Sequence, residues 1–234
     1  AVGGTLNVAG AFTSLGIDDN ADATAITIGS DEVVDFASNA DFIDGRGIRL
    51  GNGNDFQLYH DGTNNYINGT TSTNMLFLTN GTERMRIDST GAVTMPLQPA
   101  FCVHPSTTQN NLAVGSAVTI VFGTERIDQN ADFASNTFTA PVTGRYHFDA
   151  CIRYDDPDNA AAYHQLVLTT SNKAYPVTFD LGILAGDPDY WMFNINVLAD
   201  MDASDTAYLH FYQNGGAATT DIVPDAFFSG YLVA

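Results

Sequence analysis

Four clusters of carboxylates stand out in the chain: Asp18, Asp19 and Asp22; Asp155, Asp156 and Asp158; Asp187 and Asp189; and Asp200, Asp202 and Asp205. Loops rich in Asp and Asn can supply oxygen ligands to calcium from a short segment. None of the clusters has the spacing, central Gly and terminal Glu of an EF-hand, so solvated turn carboxylates are the competing reading. Asp200 to Asp205 reads as a plain acidic turn between two strands. The pair Asp155 and Asp156 invites a glycosidase reading, in which two carboxylates flank one bond. Neighbours on a strand point to opposite faces, so these two converge only if the chain turns there.

Other catalytic signals are weak. The chain has no GxSxG elbow, HExxH, phosphate loop or dinucleotide fingerprint. His60, His104, His147, His164 and His210 are scattered singly and read as hydrogen-bonded structural residues. The expectation is that the protein is not an enzyme. Cys102 and Cys151 form no metal motif, and a bond between them is left open because a buried free Cys needs no partner. Recognition of a glycan or protein is the remaining chemistry. Tyr163, Asn172, Tyr175, Tyr190 and Trp191 fall in or beside expected loops and could supply stacking faces and amide hydrogen bonds. Trp191, the chain's single Trp, also reads as a buried structural ring.

Composition limits the partners. The net charge is −19, from 27 acids against 8 bases. Such a surface repels phosphate backbones and anionic lipid and favours cations, which argues against nucleic acid. No apolar run approaches the roughly 20 residues needed to span a bilayer, so membrane insertion is not expected. The chain starts at Ala1 rather than Met, which suggests a piece of something longer.

The elements that must carry these residues are all β. Up to about Pro96, short alternating runs (Thr5–Gly10, Thr24–Gly29, Met75–Gly81, Arg84–Gly91) sit between Gly, Asn and Asp clusters. Asp61-Gly62, Asn68-Gly69 and Asn80-Gly81 are hairpin signals. Units recur at about 20 residues, and one such unit cannot bury its own apolar face. With no capping element in view, intertwined chains are favoured over a solenoid. MPLQPA at Met95–Ala100 marks a boundary, giving residues 1–97 and 98–234. Beyond it lie about eight fuller strands: Phe101–His104, Ala117–Phe122, Asn136–Ala140, Gly144–Tyr154, Gln165–Thr170, Tyr190–Leu198, Thr206–Tyr212 and Phe227–Val233. That spacing suits a sandwich or jelly roll. Pro141 and Gly144 flank a tight reversal, with Gly supplying positive φ. Alternation in the last strand puts Phe228, Gly230 and Leu232 on one face and Phe227, Ser229 and Tyr231 on the other, so both faces carry aromatics.

FTAPVTGRYHFDA at Phe138–Ala150 and FFSGYLVA at Phe227–Ala234, with VFGTERID at Val121–Asp128 before them and LVLTTSN and DTAYLHFYQ in order between them, resemble the C1q/TNF-like jelly roll. The resemblance covers residues 101–234. It implies a compact homotrimer with closing-strand aromatics near its axis, which makes Phe227 and Tyr231 interface candidates. It also directs attention, as candidate calcium ligands, to Asp155, Asp156, Asp158, Asp187 and Asp189. Gly16–Phe36, Gly51–Gly69 and Gly81–Val93 resemble the stalk modules of bacteriophage tail and virion fibres. Together these imply an all-β, extracellular virion protein: a trimeric intertwined β stalk followed by a jelly-roll knob that binds a host surface receptor, with upstream virion proteins as further partners. A capsid decoration or head fibre without a receptor, and a tailspike-like polysaccharide depolymerase, are the alternatives.

Overall fold

The computed structural model describes residues 39–71 and 74–234, together with the backbone of four short strands within 13–36. The chain divides into two compact units, Ala1–Met75 and Leu76–Ala234. All regular structure among the described residues is β, and no helix there is long and apolar enough to cross a membrane.

In the first unit, β1 (Thr13–Ser14) pairs with β2 (Ile17–Asp18) and β3 (Ile26–Ile28) with β4 (Val34–Phe36). The carboxylates of Asp18, Asp19 and Asp22 and the run at Thr5–Gly10 lie outside the described residues. A three-stranded meander follows, β5 (Gly47–Leu50), β6 (Phe56–His60) and β7 (Asn65–Gly69). Its register lines up Ile48, Leu58 and Ile67 across one face, and all three are exposed. On the other face Tyr59 stacks on Tyr66, ring centroids 4.7 Å apart. The β6–β7 turn is organised by Asp61, whose Oδ1 accepts from the Thr63 and Asn64 N–H groups and whose Oδ2 accepts from the Tyr66 hydroxyl, each at 2.8 Å. Asn68-Gly69 is not a turn: both residues pair with β6 and end the strand, because their ladder partners Gln57 and Phe56 hold them extended.

Next come β8 (Met75–Thr79), β9 (Thr82–Ile87) and β10 (Val93–Thr94), a three-stranded meander. Asn80-Gly81 forms the turn its sequence calls for, with φ of 50° and 73°.

From Ala100 onward twelve strands build a two-sheet sandwich: β11 (Ala100–His104), β12 (Val118–Thr119), β13 (Thr124–Gln129), β14 (Phe133–Ala134), β15 (Thr137–Thr139), β16 (Gly144–Asp155), β17 (Tyr163–Thr170), β18 (Ala174–Phe179), β19 (Tyr190–Met201), β20 (Thr206–Asn214), β21 (Asp221–Ile222) and β22 (Phe227–Leu232). The first sheet runs β13-β11-β22-β16-β19, with β21 on β16; the second runs β14-β15-β20-β17-β18, with β12 on β20. Of the strands missing from the sequence reading, β14 and β21 are two residues long, β13 is polar and β18 carries Pro176, which suits only an edge strand. The strand expected over Ala117–Phe122 shrinks to two residues because side chains take its backbone donors: Val121 N–H goes to Gln109 Oε1 and Phe122 N–H to Asn136 Oδ1.

Period-two burial fills the space between the sheets. Tyr146, Phe148, Ala150, Ile152 and Tyr154 of β16 face Ala207, Leu209 and Phe211 of β20 within one core cluster. Phe101 stacks on Phe133 and Phe138 at 5.1 and 4.9 Å and meets Phe228 edge-on at 4.9 Å. Strand β22 is central, between β11 and β16. Its Gly230 is dictated by packing, since a Cβ there would lie 2.6 Å from Phe148 Cδ1 and 2.7 Å from Phe101 Cε1. Gly144 is likewise a close-approach residue rather than a positive-φ one: a Cβ would meet Leu232 Cδ1 and Ala234 O at 2.6 Å. That corrects the turn-based expectation.

Candidate binding surfaces of the sandwich

Each sheet turns one face outward. On the first sheet, ladder register places Tyr231 between Ala100 and His147, Leu198 opposite His147 and Met192 opposite Arg153. Tyr231 is 51% exposed and Leu198 58%, and Tyr190 and Met192 are also exposed. Phe227 lies on the same face, half-buried, its ring 6.3 Å from that of His104, while Tyr231 rests 5.4 Å from His147. Alternation along β22 thus follows the sequence reading, with Phe228 and Gly230 buried on the other side. Cys102 and Cys151 flank β22 on this face, opposite Ser229 and Phe227, and both are free. With β22 between them their strands stand about 10 Å apart, too far for a disulfide. Burial pushes both thiols above their ordinary pKa.

At one end of this face Arg153 is held by Asp155, Nε to Oδ1 at 2.8 Å and Nη2 to Oδ2 at 3.2 Å, and by Asp225 at 2.8 Å. Its guanidinium carbon sits 5.1 Å from the centre of the Tyr190 ring. The nearby acidic loop is organised from within. Asp158 is 7% exposed; its Oδ1 accepts from Ala160 N–H at 2.8 Å and its Oδ2 from Ala217 N–H. Those bonds, Ala217 first, hold its carboxyl below the ordinary range. Asp187 Oδ1 accepts from Asn159 N–H at 2.8 Å, and Asp156, at φ 48°, donates its own N–H to Asp189 O at 3.1 Å. Among the described residues no group of three or more His, Cys, Asp or Glu side chains is arranged to hold a metal ion.

The five stacking and amide candidates do not share one face. Tyr163 opens β17 on the outward side of the second sheet, with Tyr212 6.0 Å away. Tyr190 belongs to the outward side of the first. Asn172, in the β17–β18 turn, spends its amide on Asp200 O at 3.0 Å and Asp205 Oδ2 at 2.9 Å. Tyr175 packs against the core, with Lys173 Nζ 5.2 Å above its ring. Trp191 pairs with the core residue Tyr154, yet it is 40% exposed because it sits at the open start of β19, where little covers it. The expectation of a buried structural Trp is corrected.

The histidines follow the structural reading in part. His60 Nδ1 lies 2.9 Å from Asp44 Oδ1, His104 Nδ1 donates to Ala226 O at 3.0 Å, and His210 Nδ1 lies 3.4 Å from Thr169 Oγ1. His164 departs from it: it is fully buried and neither ring nitrogen has a partner. The sequence reading also missed a row of rings on β20, Tyr208, His210 and Tyr212, whose period-two spacing in YLHFY was the available signal.

Among curated proteins none matches the chain. Of solved structures, the globular domain of zebrafish complement 1qA protein is similar at 18% identity, covering 58% of this chain and 98% of that one with a TM-score of 0.45. Murine APRIL at pH 8.0 is similar at 8% identity, covering 58% and 99% with a TM-score of 0.44. Domains of this kind are generally non-catalytic binding modules that typically form trimers. Residues 100–233 match the C1q domain family, and the chain belongs to it.

Proposed function

We propose that this chain is part of an extracellular virion fibre of a bacteriophage, in which a β stalk (residues 1–97) carries a homotrimeric C1q-like knob (residues 98–234) that contacts a host surface receptor. The observation that carries the trimer is the outward face of the first sheet. Its opposite face already closes the core, yet Tyr231, Leu198, Met192 and Tyr190 stand exposed on it. Large hydrophobic side chains left exposed on the outer side of a sheet whose inner side is the core fit a second cover, and copies of the same module supply one under threefold symmetry. The row Ile48, Leu58 and Ile67 on the thin β5–β7 meander, all exposed, supports intertwining in the stalk by the same reasoning. The stalk-module resemblance of Gly16–Phe36, Gly51–Gly69 and Gly81–Val93 supports the fibre. Three weak sites on one rigid tip raise avidity without any new contact.

Adhesion of the full chain to a panel of intact bacteria, with residues 98–234 as competitor, tests the reading. Competition supports it. Failure of the full chain to adhere to any cell would overturn the adhesive role.

A further inference from the structure

None of the six strands of the second sheet carries an Asp, Glu, Lys or Arg, in a chain whose residues are 15% charged and whose net charge is −19. The first sheet, by contrast, holds Arg145, Asp149, Arg153, Asp155 and Asp200 on its outward side. What the second sheet turns outward is a band of rings and short polar groups. Along β20, Tyr208, His210 and Tyr212 follow one another at about 7 Å. Tyr208 and His210 have centroids 6.0 Å apart at 36°, and Tyr212 and Tyr163 6.0 Å apart at 32°. Gln165 and Thr169 lie opposite Tyr212 and Tyr208 in the ladder.

These rings are half-buried, and Val167 at the centre of the face is buried, so the band is flat. No large aliphatic side chain on it is exposed. A protein interface centres on protruding apolar anchors, and this face exposes none among the described residues. The hydroxyls of Tyr163, Tyr208 and Tyr212 make no hydrogen bond within the described residues. Gln165 Nε2 donates to Thr178 Oγ1 at 2.9 Å, which leaves its carbonyl oxygen available as an acceptor. Flat rings for stacking on C–H faces, spaced among free hydroxyl and amide groups, complement a carbohydrate. The strongly acidic remainder of the chain repels a polyanion, whereas a neutral polymer meets no such barrier.

We infer that the outward face of β17, β18 and β20 is a docking platform for a neutral polysaccharide, centred on Tyr208, Tyr212 and Tyr163. The inference rests on the adhesive reading above and names the ligand class for it.

Affinity electrophoresis of the full chain through gels containing mannan, β-1,3-glucan, galactan or polygalacturonate tests the platform. At least one of the three neutral polymers should retard it, independently of ionic strength. The variant Tyr208→Ser/Tyr212→Ser should bind about tenfold more weakly, while Tyr208→Phe/Tyr212→Phe, which keeps the rings, should retain most of the retardation. Gln165→Glu, which adds a charge and removes no ring, provides a second variant should the serine pair misfold, and it too should weaken binding. Retardation by polygalacturonate alone, by none of the four polymers, or equally in every variant would overturn the platform. Cell adhesion that protease treatment of the cells abolishes and periodate spares would assign the face to a protein and also overturn it. Adhesion that persists undiminished in the serine variant would overturn the platform and leave the adhesive reading standing.

Discussion

The imidazole of His164 lies flat against Phe179, ring centroids 5.1 Å apart and planes 8° from parallel, and it has no hydrogen-bond partner. Gln213, its ladder partner on β20, has turned its carboxamide to Gly215 O, Ala217 O and the Thr220 hydroxyl. Burial lowers the His164 pKa below the ordinary 6.5, outweighing the opposing pull of the Asp158 and Asp180 carboxylates. The unfolded chain therefore binds a proton more readily than the folded one. Stability is full above pH 6.5 and falls as pH drops from there towards the folded pKa. His210, also lowered by burial, adds to the same window. Thermal melts from neutral to mildly acidic pH should show a decline in the native protein that is shallower in His164→Phe. Equal slopes in the two proteins would refute the role of His164. The comparison between variants also removes the general relief of acidic self-repulsion, which acts in the opposite direction.

Asp158 should act in a lower window. Its depressed carboxyl contributes stability that is present above pH 3.8 and lost as pH falls through the folded pKa. Asp158→Ala leaves the Ala160 and Ala217 N–H groups without their acceptor and should cost about 1–3 kcal/mol in urea denaturation at neutral pH. Hydrogen exchange at those two amides should accelerate selectively.

Gly230→Ala places a methyl carbon where the Phe101 and Phe148 rings already stand. Overpacking of this kind typically costs about 1–3 kcal/mol, and the melting temperature should fall accordingly. An unchanged melt would mean that these rings move aside freely.

Light scattering on the full chain should give a mass near three times 25.0 kDa. Tyr231→Asp, exposed in the single chain, should leave secondary structure intact and reduce that mass. A stable folded monomer of the unmodified chain would remove the argument for a threefold axis.

Calcium titration against a chelator should leave the melting temperature unchanged. Asp155 is bound to Arg153, Asp158 to two backbone donors and Asp187 to a third, so little of the cluster remains to coordinate a cation. A rise of several degrees would support the calcium expectation for Asp155, Asp156, Asp158, Asp187 and Asp189.

Much of the sandwich was legible because period-two patterning is a local property. GRYHFDACIRYD and TAYLHFYQN declare their inward residues without reference to any partner, and β16 and β20 bury them accordingly. The alternation of FFSGYL was readable for the same reason, as was the turn at Asn80-Gly81, where the backbone itself demands positive φ.

Tertiary structure alone decided the rest. Whether Asn68-Gly69 turned or paired depended on a neighbouring strand, and Val121 lost its strand to the carboxamide of a residue twelve positions away. Gly144 and Gly230 owe their identity to atoms distant in sequence. The candidate residues Tyr163, Tyr190, Asn172 and Tyr175 carry similar chemistry in the sequence, yet folding placed them on different surfaces or in the packing. The charge-free face emerged only when β12, β14, β15, β17, β18 and β20 came together, because a surface is made of residues far apart in sequence and near in space, and no local pattern encodes that adjacency.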